Sequence, residues 1–215
     1  MKAEDPLPLK KSPGQCPAGI ILAAGSSTRM GRTKQLLQVG GKKLVARILD
    51  ETLASDLKKV VLVLGHKGKE IESVLEEYQK HPKLHFVKNP KYKKGISTSI
   101  IAGLRAVEDE YDPIMFILAD MPYIDKSLIN SLLNNYLDSQ LSMGAVGVKG
   151  RRSHPVIFSR KWYRELHRLK GDKGARELFS KYPEDVHLFE AGEYFRDIDI
   201  DTPEDLNKLK KGDYS

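Results

Sequence analysis

The chain has one cysteine, Cys16, among 215 residues. That excludes an internal disulfide framework and a metal site built from several cysteines. No apolar run approaches the roughly 20 residues of a membrane span. The N-terminus lacks the apolar stretch of a secretory leader. A cytoplasmic protein without membrane attachment is therefore expected. There is no internal repeat and no low-complexity tract. There is also no RNP motif, no zinc finger and no basic stripe interleaved with aromatics. The formal charge of +7 and the pI near 9.3 therefore point away from nucleic acid and toward a phosphorylated small ligand.

What is present is an alternation of apolar runs and amphipathic stretches. The predicted strands are Ile20–Ala24, Lys59–Leu64, Leu84–Lys88, Pro113–Leu118 and Met143–Val148. The predicted helices between and after them are Leu44–Ser55, Lys69–Lys80, Ser97–Glu108 and Asp125–Asp138. This order argues for an α/β fold, a mostly parallel sheet with helices on both faces. Ligands of such sheets sit at the carboxyl ends of the strands. Residues 1–17, rich in proline and lysine, read as a disordered tail, and 18–215 as one domain. From Gly150 to Gly192 the alternation weakens, and this stretch reads as an elaboration of the same domain.

The densest signal is Leu22-Ala23-Ala24-Gly25-Ser-Ser-Thr-Arg29-Met-Gly31, followed by Lys34. A buried strand runs into a loop of small residues with two cations nearby. Backbone N–H groups approach phosphate closely where side chains are small, and Arg29 and Lys34 add charge. The loop is neither a Walker A motif nor a G-x-G-x-x-G fingerprint. A second signal is Leu118-Ala119-Asp120-Met121-Pro122, a strand that ends on a carboxylate. Beside a phosphate loop, Asp120 is a natural Mg²⁺ ligand.

A third is Arg196-Asp-Ile-Asp-Ile-Asp201-Thr-Pro-Glu-Asp. Read as a strand, its alternation puts Asp197, Asp199 and Asp201 on one face, where like charges repel unless a cation relieves them. Thr202 then reads as the N-cap of a last helix with Pro203 at its first position. A fourth signal is Asn89-Pro-Lys-Tyr-Lys-Lys-Gly95-Ile-Ser97-Thr-Ser99. It places a helix N-terminus with small hydroxyls where free N–H donors could meet an anion or a ribose. Gly65, after the second strand, is expected to line the base pocket, with His66 a surface residue.

Taken with their spacing, these motifs resemble those of the MobA-like nucleotidyltransferases, over about Gly19 to Leu209. Gly150-Arg-Arg-Ser-His154-Pro155-Val-Ile-Phe158 and Gly171-Asp172-Lys-Gly-Ala-Arg176 are similar to the molybdenum cofactor cytidylyltransferase branch, except that Ser153 stands where that branch usually has glycine. If that glycine is left-handed, Ser153 would be strained there. The resemblance implies transfer of a cytidylyl group from CTP to the terminal phosphate of molybdopterin, with release of pyrophosphate. It assigns Arg29, Lys34 and Asp120 to catalysis, and Mg²⁺ to Asp120 and Asp201. It places the nucleotide against Leu22, Ala23, Ala24, Gly25, Arg29, Lys34, Gly65, Asn89, Gly95, Ser99 and Asp120. The acceptor falls to Arg152, His154, Asp172 and Arg176, helped by Arg151 and Lys173. It also implies transient contact with a molybdoenzyme or its maturation chaperone. Two alternatives stay open: another phosphorylated acceptor, such as a sugar phosphate or methylerythritol phosphate, and a non-catalytic cofactor carrier.

Overall fold

The computed structural model describes residues 16–26, 33–192, 195–200 and 202–211. Four parallel strands form one half of the sheet: β1 (Ala18–Ala23), β4 (Lys59–Leu64), β5 (Leu84–Lys88) and β6 (Ile114–Leu118). A two-residue hairpin, β2 (Gln38–Val39) and β3 (Lys42–Lys43), stands apart. The other half comprises β7 (Met143–Val148), β8 (Arg151–Phe158) and β9 (Val186–Glu190). The sheet runs β5-β4-β1-β6-β8-β7-β9. β8 is antiparallel to both neighbours, while β9 is parallel to β7.

Alternation along each strand decides which layer it feeds. In β1, Ile21 and Ala23 join a core with α1 (Leu44–Leu53), α2 (Gly68–Val74) and α4 (Lys126–Ser139). Ile20 and Leu22 face the opposite core, under α3 (Ile96–Arg105), α5 (Tyr163–His167) and α6 (Arg176–Lys181). Both faces of the sheet are thus covered, as expected.

Several expectations need correcting. The helix predicted to reach Lys80 ends at Val74 and gives way to a 3₁₀ turn at Glu76–Tyr78. Asp125 is not the first helical residue but the N-cap of α4; its carboxylate accepts the Leu128 N–H at 2.8 Å. The run before Thr202 is not a strand: residues 195–200 are irregular. The apolar Ile200 inside it is used for packing, buried with Leu37, Val39 and Leu44. The Thr202 cap does form. Its hydroxyl and N–H both donate to the Asp205 carboxylate, and the Asp205 N–H donates back to that hydroxyl, a reciprocal box that opens α7 (Pro203–Lys211). Of the predicted tail, residues 1–15 lie outside the described residues. Cys16 and Pro17 belong to the body, where Cys16 exchanges backbone pairing with Asp112 and the Pro17 carbonyl accepts from Lys58 N–H.

The stretch after Gly150 was the least legible. Lys149 and Gly150 both have positive φ, 52° and 72°, the conformation of a tight two-residue hairpin turn. The chain therefore doubles back at once and inserts β8 between β6 and β7. Ser153 sits within β8 and is not among the residues of positive φ. The expected strain does not arise, and its buried hydroxyl donates to the Asp197 carboxylate. Among the described residues no helix is long and apolar enough to cross a membrane.

Candidate active site

The carboxyl ends of β5, β4, β1 and β6 lie side by side, and the segments leaving β1, β5 and β6 line a cleft of about 360 Å³. Leu22, Ala24 and Gly25 form one wall; Gly95 and Ser99 form another; Asp120 lies at the floor. Among the described residues, a side chain added at Gly25 would meet nothing within 4 Å.

Lys34 begins a 3₁₀ turn, and its side chain is only 9% exposed. Its ammonium donates to Asp120 Oδ2 at 3.4 Å. Asp120, two residues past β6, has a side chain 28% exposed. Burial pushes its carboxyl above the usual carboxylate range; the Lys34 charge opposes this and the Asp199 charge adds to it. Two carboxylates are thus close enough to feel each other. The irregular strip is tied into place because Ile200 N–H donates to the Asp120 carbonyl at 3.0 Å. Magnesium is commonly held by one or two carboxylates together with substrate phosphates. The Asp120–Asp199 pair fits that donor set. Among the described residues no group of three His, Cys, Asp or Glu gathers in this way.

A second cavity, about 450 Å³, adjoins the first. The two share Leu22, Ile96 and Asp172. Because β8 runs antiparallel to β6, it returns Arg152 and His154 to the same end of the sheet. The floor is apolar, with Ile100, Phe116, Val156 and Phe179. The Arg152 guanidinium lies 4.6 Å from the Phe179 ring centroid. Burial lowers the Arg152 pKa, and the Arg176 charge lowers it further. Among the described residues neither arginine forms an ion pair; with Lys173 they outnumber the lining carboxylates Asp172 and Glu177, so the lining is net positive and suits an anion. His154 is neutral at pH 7: burial, then the Arg152 charge, lowers its pKa to about 4. Its Nδ1 is buried without a hydrogen-bond partner.

The expected site residues divide. Leu22, Ala24, Gly25, Gly95, Ser99 and Asp120 line the cleft, while Arg152, His154, Asp172 and Arg176 line the adjoining cavity. Ala23 does not face the cleft, because strand alternation turns its methyl into the core under α1. Gly65 is not a lining residue either. Its Cβ would fall 2.7 Å from Tyr92 and 2.8 Å from the Ala24 carbonyl, so glycine is required there by packing. Asn89 is buried and its amide is used internally: Nδ2 donates to Thr98 and Ser99, and Oδ1 accepts from Lys91 N–H. It positions Ser99 and does not itself line the cleft.

The α3 N-terminus is not an open donor site. Its first three N–H groups go to Asp172 Oδ1, the Gly171 carbonyl and the Gly95 carbonyl. Arg151 is exposed and outside the second cavity, and Lys173, at its edge, is paired with Glu177 at 2.8 Å. Arg29 and Asp201 lie outside the described residues.

Sequence reading missed Gln35, Tyr92 and Lys93, which line the cleft, and the apolar floor of the second cavity. Gln35 is 5% exposed and its Oε1 has no partner. A polar residue adjoining the loop lysine was the signal that could have marked it.

A profile of the MobA-like NTP transferase domain matches residues 19–186. The chain is 30% identical over 200 residues to purine catabolism protein PucB of Bacillus subtilis, covering 90% of this chain and 95% of that protein. It is 28% identical over 203 residues to nicotine blue oxidoreductase of Paenarthrobacter nicotinovorans, with 90% and 96% covered. It is 26% identical over 195 residues to molybdenum cofactor cytidylyltransferase of Escherichia coli, with 89% and 94% covered. Among solved structures, Rv0371c of Mycobacterium tuberculosis superimposes with a TM-score of 0.78 at 24% identity, covering 92% of this chain and 99% of that one. A complex of Rv0371c with manganese gives 0.74 at 22% identity, over the same shares. The chain is a member of the MobA-like NTP transferase family, with a nucleotidyltransferase fold.

Proposed function

We propose that the protein transfers a cytidylyl group from CTP to the terminal phosphate of molybdenum cofactor. The observation that carries this reading is the pair of cavities with a common wall. One is lined by Asp120, which the buried Lys34 pairs with from outside the lining; the other is lined by Arg152, stacked over Phe179, and Arg176. A group-transfer enzyme needs two such compartments, with the reacting atoms where they meet. The apolar floor, with the Arg152 guanidinium over the Phe179 ring, suits a planar heterocycle better than a sugar phosphate. The likeness to the E. coli cytidylyltransferase supports the same choice.

An ionised phosphate oxygen of the acceptor attacks the α-phosphorus, and the bond to the β-phosphate breaks. With its second pKa near about 6, the phosphate needs no general base at pH 7. Arg152 and Arg176 hold the acceptor anion. Lys34 neutralises charge that develops on the α-phosphate, with Arg29 and the loop amides on the outer phosphates. Asp120 together with Asp201 or Asp199 would hold Mg²⁺, which when bound supplies charge neutralisation for the triphosphate. Ala24, in the cleft wall, narrows the space where a base passes, which favours a one-ring base. Recipient molybdoenzymes or their maturation chaperones are the expected partners of the product.

The test is a turnover screen of the four NTPs against molybdenum cofactor and a few phosphorylated acceptors, read as Mg²⁺-dependent pyrophosphate release. A preference for CTP with molybdenum cofactor is expected. Preference for GTP overturns the cytidylyl reading, and absence of turnover with every pair overturns the transferase reading in favour of a carrier.

A further inference from the structure

The segment that lines the acceptor cavity also builds the start of α3. Asp172 Oδ1 accepts the Ile96 N–H at 3.1 Å, and the Gly171 carbonyl accepts the Ser97 N–H at 3.1 Å. A helix N-terminus normally takes its cap from the residue just before it. Here that residue is Gly95, which has no side chain, and the cap comes from a residue 76 positions away. The two backbones touch: a Cβ on Gly95 would lie 2.3 Å from the Gly171 carbonyl carbon. Gly95 has φ 106° and Gly171 has φ 64°, conformations that favour glycine at both contact points. Ile96 and Asp172 line both cavities.

We infer that Asp172 is a positioning residue that couples the two substrates. By capping α3 across the common wall, it makes the shape of the nucleotide cleft depend on the acceptor segment, residues 169–176. Occupying either cavity then orders a wall of the other, so each substrate tightens the other's binding by the same factor. The inference rests on the two-substrate reading above. It adds a role for Asp172 distinct from contact with the acceptor.

The test uses the full chain with Mg²⁺ and α,β-methylene-CTP, whose bridging carbon blocks transfer. Affinity is measured by calorimetry, and backbone protection by hydrogen exchange. In the unmodified protein the analogue should protect 95–99 and also 169–176, although the latter line mainly the other cavity. In Asp172→Ala the affinity should fall about fivefold, the effect of losing one helix cap, and protection of 169–176 should vanish. Asp172→Asn should restore both, because its amide oxygen accepts the same N–H; an electrostatic role would not be rescued.

The inference is overturned if the analogue leaves 169–176 unprotected in the unmodified protein, if Asp172→Ala behaves as the unmodified protein, or if Asp172→Asn behaves as Asp172→Ala. Binding of the corresponding ATP, GTP or UTP analogue instead of the CTP analogue overturns the cytidylyl reading alone, and the protection test is then run with the analogue that binds. If none of the four binds, the transferase reading falls and the inference with it.

Discussion

The cleft beside Lys34 and the cavity beside Arg152 meet at Leu22, Ile96 and Asp172, yet the chain makes them by different means. The cleft is assembled largely from the segments that follow the parallel strands β1, β5 and β6. Its chemistry lies where the strands stop. The second cavity depends on a reversal, the hairpin at Lys149–Gly150 that sends β8 back between β6 and β7. Its polar residues, Arg152 and His154, alternate along a strand and are carried to the site by direction of travel. The electrostatics differ as well. In the cleft a cation and a carboxylate are already paired, so added charge comes with the ligand. In the cavity neither guanidinium forms an ion pair among the described residues, although Asp172 and Glu177 share the lining.

The largest expected effect concerns the paired side. Lys34→Ala should lower kcat by roughly 3–4 kcal/mol of transition-state stabilisation while the affinity for CTP changes little. Comparing kcat with a calorimetric Kd decides it: equal losses would make Lys34 a ground-state contact. Asp120→Ala and Asp201→Ala should each abolish turnover. Asp197→Ala should be mild, costing about 1 kcal/mol of stability through the lost Ser153 hydrogen bond.

On the unpaired side, Arg152→Ala and Arg176→Ala should each raise the KM for the acceptor about 10-fold or more, as loss of a charge-assisted contact does. The Kd of CTP measured without acceptor should stay within about twofold. If both substrates weaken equally, the two cavities are not separate compartments.

A smaller effect is expected at Ala24. Ala24→Gly should relax the preference for CTP over GTP by about 1–3 kcal/mol, measured as the ratio of kcat/KM values with one acceptor. An unchanged ratio would remove the cleft wall from base selection.

The smallest effects are in the pH dependence of stability. His154 has a folded pKa of about 4, below its ordinary value of 6.5. Between those values the unfolded chain binds the extra proton. The contribution of His154 is therefore complete above pH 6.5 and is lost as pH falls toward 4. Asp120 runs in the opposite sense. Its folded pKa is raised, so ionising it in place costs stability as pH rises from its ordinary value through the raised one. Urea unfolding at a series of pH values should show His154→Gln flattening the slope between 6.5 and 4. An identical slope in both proteins would mean the ring is protonated in place.

The parallel half of the sheet was readable because its strands are short apolar runs bounded by turn residues, a local pattern. There Lys59–Leu64 and Leu84–Lys88 were read to the residue, as was Met143–Val148 in the other half. β8 was not legible because an arginine pair, a histidine and a proline interrupt its pattern; its strand character comes from pairing with β7 through the hairpin and with β6, distant in sequence. The Asp-Ile-Asp-Ile run erred in the other way. Its alternation mimics a strand, but no partner strand pairs with it, and Ile200 is used to seal a small satellite core.

Composition and local order were enough to mark an α/β sheet, a small-residue loop leading to Lys34 and a carboxylate at Asp120, because strand ends and small-residue turns are written in consecutive residues. Which of those residues face a ligand was a matter of three-dimensional neighbours. Asn89 turned inward because Thr98, Ser99 and Lys91 satisfy its amide. Gly65 is held to glycine by Tyr92. The α3 N-terminus is closed because Asp172 reaches it from the segment between α5 and α6. A hydrogen-bonding group takes whatever partner the fold brings within reach, whether a few residues away, as for Asn89, or 76, as for Asp172 and Ile96.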